Sequence, residues 1–235
     1  NTAMGKSALQ ANTTGVDSVA VGTGALIAQT TGGDNVAIGH LAMSTLTTAG
    51  NNTAVGDRAM KANTSGENNV AVGTLALDAN TTGGSNTAIG RDALGANTTA
   101  SFNTAVGRQS LQANTTGTNN AAVGYASLYS NTTGGSNVAV GNSALEANTT
   151  ASNNAAFGNS ALAVNTTGED NVALGANALD ANTTADGNTA VGSAALTANT
   201  TGSENTAIGR AASGSSNRFK QRSCRNRCRK WSDYW

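Results

Sequence analysis

Few side chains in this sequence are of types that could do chemistry, and their spacing already narrows what they can do. The single histidine, His40, directly follows a glycine, in a stretch without cysteine or any repeated carboxylate pair. A general base needs a partner within hydrogen-bonding reach, so His40 reads as a solvent-facing loop residue. The acidic residues Asp17, Asp34, Glu67, Glu169, Asp170 and Glu204 fall at turn positions, and the glycine-rich aspartate nonapeptide of calcium-binding β-rolls does not occur. Cys224 and Cys228 offer two ligands at most, short of the four of a structural zinc site, which leaves a disulfide between them as the candidate. No catalytic residue, no cofactor and no metal is expected.

A different chemistry is written more insistently. Asn-Thr-Thr or Asn-Thr-Ser recurs at Asn12, Asn63, Asn80, Asn97, Asn114, Asn131, Asn148, Asn165, Asn182 and Asn199, and each formally matches the N-glycosylation acceptor. Asparagine stacked on asparagine along a regular array would form an amide ladder and explain the same recurrence without sugar, and this is the reading favoured here. The adjacent threonines, such as Thr13-Thr14 and Thr98-Thr99, raise an ice-binding or surface-binding array. Neighbours on a strand face opposite ways, however, so two adjacent files would not make one flat surface.

What must position all of these is a repeat of 17 residues, beginning at Asn1, Ser18, Asn35, Asn52, Asn69, Asn86, Asn103, Asn120, Asn137, Asn154, Asn171, Asn188 and Asn205. Twelve complete units run without insertion or deletion although point substitutions are frequent, so the period itself is what the structure requires, as when each unit stacks on the next. Counting from the first residue of each unit, position 3 is always Ala and position 5 always Gly; position 4 is Val, Ile, Leu, Met or Phe, and position 9 is Leu or Met. Around position 3 the residues alternate with strand periodicity. Position 4 is expected to form a buried apolar file, and positions 8 to 11 a second short strand or turn. The Asn-Thr-Thr-Gly segment closes the coil as a turn. A strand, a useful helix and two turns do not fit in 17 residues, since leucine-rich repeats need about 20–29. At one strand spacing per coil, twelve coils give a rod about 58 Å long. The alanine file at position 3 invites another backbone to approach, so sideways association around a three-fold axis is expected.

Composition agrees with a thin stack rather than a globular core: aromatics are 3% of 235 residues, proline is absent, and Leu, Ile, Val and Phe total 35. Disorder would call for high net charge, yet 13 basic residues balance 13 acidic ones. The balance hides an asymmetry. Residues 1–217 hold 12 acidic and 6 basic side chains, whereas residues 218–235 hold 7 basic and 1 acidic, with four aromatics. The division expected is a solenoid over 1–213 and a basic, aromatic, cysteine-containing tail over 214–235, read as a cap, an attachment segment or a sequence artefact ahead of a nucleic-acid site. No apolar run is long enough for a membrane span. With neither initiator Met nor signal peptide, the chain reads as a mature or excised segment.

The pentads Asn35-Val36-Ala37-Ile38-Gly39 and Asn86-Thr87-Ala88-Ile89-Gly90, each followed by a small Ala, resemble the head repeat of trimeric autotransporter adhesins, the YadA-like repeat. They are also similar to repeat arrays of phage tail-fibre proteins that precede a self-cleaving chaperone domain. The resemblance covers residues 1–213 and departs in one respect: the unit is longer, gaining the Asn-Thr-Thr-Gly turn. It implies a left-handed, trimeric, parallel β-roll displayed outside the cell or on a virion. It further implies that matrix such as collagen could bind at Asn35, Val36, Ala37, Ile38 and Gly39, although these pentads already have a complete structural explanation.

The expectation is therefore an all-β protein, a parallel β-solenoid of 17-residue coils, without enzymatic activity: an extracellular rod serving as head or shaft of a surface adhesin or filament. A phage tail-fibre shaft is the alternative within that class, and a direct receptor, matrix or glycan binder the alternative outside it; an ice-binding protein is the more remote one. Partners expected are two further copies of the chain, and end-to-end neighbours docking on uncovered terminal strand edges; nucleic acid is not expected.

Overall fold

A computed structural model describes residues 1–212. Thirteen strands of three residues each follow one another: β1 (Thr2–Met4), β2 (Val19–Val21), β3 (Val36–Ile38), β4 (Thr53–Val55), β5 (Val70–Val72), β6 (Thr87–Ile89), β7 (Thr104–Val106), β8 (Ala121–Val123), β9 (Val138–Val140), β10 (Ala155–Phe157), β11 (Val172–Leu174), β12 (Thr189–Val191) and β13 (Thr206–Ile208). Each pairs in parallel with the next without slippage, so that Ala88 lies beside Ala105 and Ile89 beside Val106. All thirteen form one sheet whose spatial order is the order of the sequence. The chain is an all-β solenoid of about twelve turns, and among the described residues there is no helix.

Alternation along each strand puts position 3, not position 4, inside. Ala88, Ala105 and Ala122 are 0% exposed, whereas Ile38 is 40%, Ile89 39% and Leu174 48% exposed. Two expectations are corrected together: position 4 is not a buried file, and the alanines are not kept small for a neighbouring chain. They line the solenoid's own interior, in one cluster with the position 9 residues Leu94, Leu111 and Leu128. The reason is volume. A coil of 17 residues encloses so little space that a leucine contributed by one wall leaves room for only a methyl group on the other at normal packing density.

Positions 6 to 11 form a turn rather than a second strand, and the backbone shows why. Positions 7 and 9 take left-handed conformations in coil after coil, as at Asp92 (φ 58°) and Leu94 (φ 50°). Two such bends turn the adjacent residues Ala93 and Leu94 both inward, each 0% exposed, which strand geometry would forbid. A non-glycine residue there costs about 1–2 kcal/mol. Bonds between coils hold the conformation: the Asp92 N–H donates to the Thr74 carbonyl at 3.1 Å and the Leu94 N–H to the Ser110 carbonyl at 3.0 Å. Within the coil, the Ala93 N–H folds back on the Gly90 carbonyl at 3.2 Å.

Position 5 is glycine for a geometric reason. Gly90 sits at φ +136°, and a Cβ there would come within 2.5 Å of the Gly107 carbonyl oxygen. Both the dihedral and the close passage of the next coil exclude a side chain.

Candidate functional site

The recurring asparagines are not at the surface. Asn63, Asn80, Asn97, Asn114, Asn131, Asn148, Asn165 and Asn182 are 0% exposed and Asn199 is 5% exposed; Asn12, in the first coil, is half-buried. Their amides form a ladder through the solenoid. Asn97 Nδ2 donates to Asn80 Oδ1 at 3.0 Å and to the Ala100 carbonyl at 3.0 Å, while its own Oδ1 accepts from Asn114 Nδ2 at 3.1 Å. A second file at position 1 runs beside it: Asn86 Nδ2 reaches the same Ala100 carbonyl at 2.8 Å, and Asn86 Oδ1 accepts the Asn103 backbone N–H at 3.0 Å. Two amides thus converge on one carbonyl in each such coil, leaving the folded array no free Nδ2 at these positions to carry a sugar.

The second coil shows how tightly the two files are coupled. There Ser18 replaces asparagine at position 1 and Gln29 replaces it at position 12, one side chain shorter and the other longer. Gln29 Nε2 crosses to Ser18 Oγ at 3.1 Å and still reaches the Gly32 carbonyl at 2.8 Å, while its Oε1 accepts from Asn35 Nδ2 at 3.1 Å. In the third coil Leu46, fully buried, interrupts the position 12 ladder.

The surface sorts by position. Every charged residue of the described chain falls at position 6, 7, 10, 16 or 17 of its unit. On the edge formed by positions 6 and 7, side chains pair between and within coils: His40 Nδ1 meets Asp57 Oδ1 of the next coil at 2.9 Å, Arg58 Nε lies 3.2 Å from the other oxygen of its sequence neighbour Asp57, and the Arg108 guanidinium sits 5.9 Å from the centroid of the Tyr125 ring in the next coil. The hydrogen bond from His40, with Arg58 beside it, holds the Asp57 carboxyl below its usual pKa. His40 is exposed, as expected. Among the described residues no cluster of three or more His, Cys, Asp or Glu side chains is arranged to hold a metal ion, and no helix is long and apolar enough to cross a membrane.

Two faces carry no charge. On one, positions 2 and 4 of the strands point outward with only Val, Thr, Ala, Ile, Leu, Met or Phe. On the other lie the threonines. The position 13 hydroxyls are spent on the next coil's backbone, as Thr81 Oγ1 donates to the Thr98 carbonyl at 3.0 Å, whereas position 14 is exposed in every coil. Of the pentad Asn35 to Gly39, Asn35 and Ala37 are 0% exposed and Ile38 is 40% exposed, so a ligand would meet Val36, Ile38 and the Gly39 backbone but neither Asn35 nor Ala37. Sequence reasoning missed the outward apolar face, although the restriction of charge to five of 17 positions was there to be read. Cys224, Cys228 and the tail from 214 lie outside the described residues.

The fold and its surface define a class, the repeat proteins of the parallel β-solenoid kind. No protein-family model matches the chain, and no curated protein matches it.

Proposed function

We propose that this chain is a structural rod without enzymatic activity, left-handed and assembled side by side as a trimer, which serves outside the cell or on a virion as the head or shaft of an adhesin or filament. One observation carries this reading: thirteen strands stack in unbroken register while the recurrent polar groups of the interior are spent on holding coil to coil. What such a molecule offers is length, stiffness and a repeated exterior. Stacked coils resist bending because each contacts its neighbours through a full turn of backbone hydrogen bonds and a shared core. The pentad resemblance supports the setting on a bacterial or viral surface.

The test is localisation together with shape. Antibodies to the array, applied to intact cells and to virions of the source, should label filaments or surface projections by electron microscopy, and an exclusively internal signal would defeat the proposal. The charge-free threonine face favours a second reading, direct binding of a regular surface such as ice or a glycan. Thermal hysteresis and glycan-array binding by the full chain check it, and absence of both removes it.

A further inference from the structure

One coil differs from all the others at the charged edge. Both tyrosines of the described residues, Tyr125 and Tyr129, belong to it, at positions 6 and 10. They flank the left-handed bends at Ala126 (φ 52°) and Leu128 (φ 51°), and Ala126 and Ser127 between them are buried, so two phenol side chains border a strip of small residues. Tyr125 is 47% exposed and Tyr129 half-buried. The Arg108 guanidinium of the preceding coil lies over the Tyr125 ring, whereas Arg58 and Arg91 each pair with the carboxylate of an adjacent aspartate. Beside Tyr129 the position 10 column is incomplete. Gln112, one coil away, has its Oε1 buried without a hydrogen-bond partner, and so has Asp78 its Oδ1; between these two lies Gly95, the one glycine at position 10. The atoms a Cβ on Gly95 would meet first are backbone, the Asp92 carbonyl oxygen at 3.3 Å and that of Leu75 at 3.7 Å.

We propose that Tyr125 and Tyr129, with Arg108, Gln112 and Asp78, form a carbohydrate-binding site in which the tyrosine rings stack on sugar rings of an oligosaccharide laid along this edge. The inference rests on the second reading above, direct glycan binding, and moves its site from the threonine face to the tyrosine coil. A pyranose ring presents an apolar C–H face and a rim of hydroxyls. Tyrosine offers the first a large, rigid surface that loses little entropy on binding, and acceptors without donors suit the second. An orphaned buried acceptor costs stability, and because neither Gln112 Oε1 nor Asp78 Oδ1 holds a hydrogen bond, either half-buried side chain can swing its oxygen toward a hydroxyl without breaking one. The gap at Gly95 leaves room for that movement. From Asp78 to Tyr129 the site runs three coil spacings, about 14 Å at ordinary strand separation, the length of a short oligosaccharide. A peptide fits less well, since Gln109 and Ser143, the position 7 neighbours on either side, supply no apolar wall for an anchoring side chain.

The full chain is applied to a printed oligosaccharide array, and the free oligosaccharide it binds best is titrated calorimetrically into wild type and variants whose native fold circular dichroism has confirmed. One variant carries Tyr125→Ala and Tyr129→Ala, a second Gln112→Ala, and a third Thr116→Ala and Thr133→Ala on the threonine face. The expected result is binding by wild type, weakened about ten-fold or more without the tyrosines and about three-fold without the Gln112 amide. Should the double tyrosine variant fail to fold, Tyr125→Ser alone removes the more exposed ring and is expected to weaken binding in the same direction. Binding indifferent to the tyrosine or the Gln112 changes overturns the proposal. Loss through the threonine pair instead overturns it while the second reading keeps its face. A wild type that binds no sugar at up to about 10 mM overturns both, and the rod, whose test is localisation, stands in either case.

Discussion

Asn97 illustrates how much one residue holds in this molecule. It donates twice and accepts once inside the coil, so Asn97→Ala leaves Asn80 Oδ1 without its ladder donor and one Asn114 N–H without its acceptor. At roughly 1–3 kcal/mol for each orphaned buried group, the variant should lose about 2–6 kcal/mol, read from the midpoint of denaturant unfolding. Gly90→Ala should be at least as damaging, because Cβ meets the Gly107 backbone and an L residue is strained at this dihedral. Asp78 behaves oppositely. Its Oδ1 is buried without a hydrogen-bond partner, and burial raises its carboxyl pKa against the pull of Lys61. A raised carboxyl pKa in the fold means the native state binds its proton more readily, so stability is lost as pH rises through the carboxylate range. Asp78→Asn should therefore raise the melting temperature at neutral pH, with the gain vanishing below pH about 3, where an ordinary Asp carboxyl is protonated too. The asparagine ladder was legible in the recurrence, since a residue repeated at the period of the stack must lie on a copy of itself. Its convergence with position 1 on a single carbonyl was not, because that depends on how the two ends of the coil approach each other in space.

Within each element, the three-residue strand was readable from its β-branched flanks, but which side faced inward was not. Alternation fixes only that positions 2 and 4 share a face, and the larger side chains at position 4 argued for the wrong one. The left-handed bends at positions 7 and 9 decide the matter by delivering Leu94 to the interior, and nothing in a leucine signals positive φ. A pair of substitutions separates the two assignments. Ala88→Val adds volume to a full interior and should destabilise by about 1–3 kcal/mol, while Ile89→Thr, one residue on but outside, should change the stability of the separated chain by about 0.5 kcal/mol or less. Thermal or chemical unfolding at a dilution where chains are apart checks both, and the reverse order would restore position 4 to the core.

The molecule as a whole behaves as a one-dimensional stack, in which stability is the sum of coils and of contacts between neighbouring coils. Removing residues 86–102, one complete unit, should leave a shorter folded rod, whereas removing half that segment should unfold the array around the deletion; hydrogen exchange would read the difference. Architecture at this scale was legible because a period that never slips admits few structures. The outward apolar face was not, since the same residues had been assigned to the core. The central claim is a stack of in-register coils with the position 3 alanines inside and position 4 outside, and cryo-electron microscopy of the full-length protein tests it most directly. The account predicts a coil repeat near 4.8 Å along the axis, with the position 3 side chains inside each coil and the position 4 side chains on its outer surface. Position 4 side chains packed inside the coils, or an axial repeat that does not match a strand spacing, would contradict it.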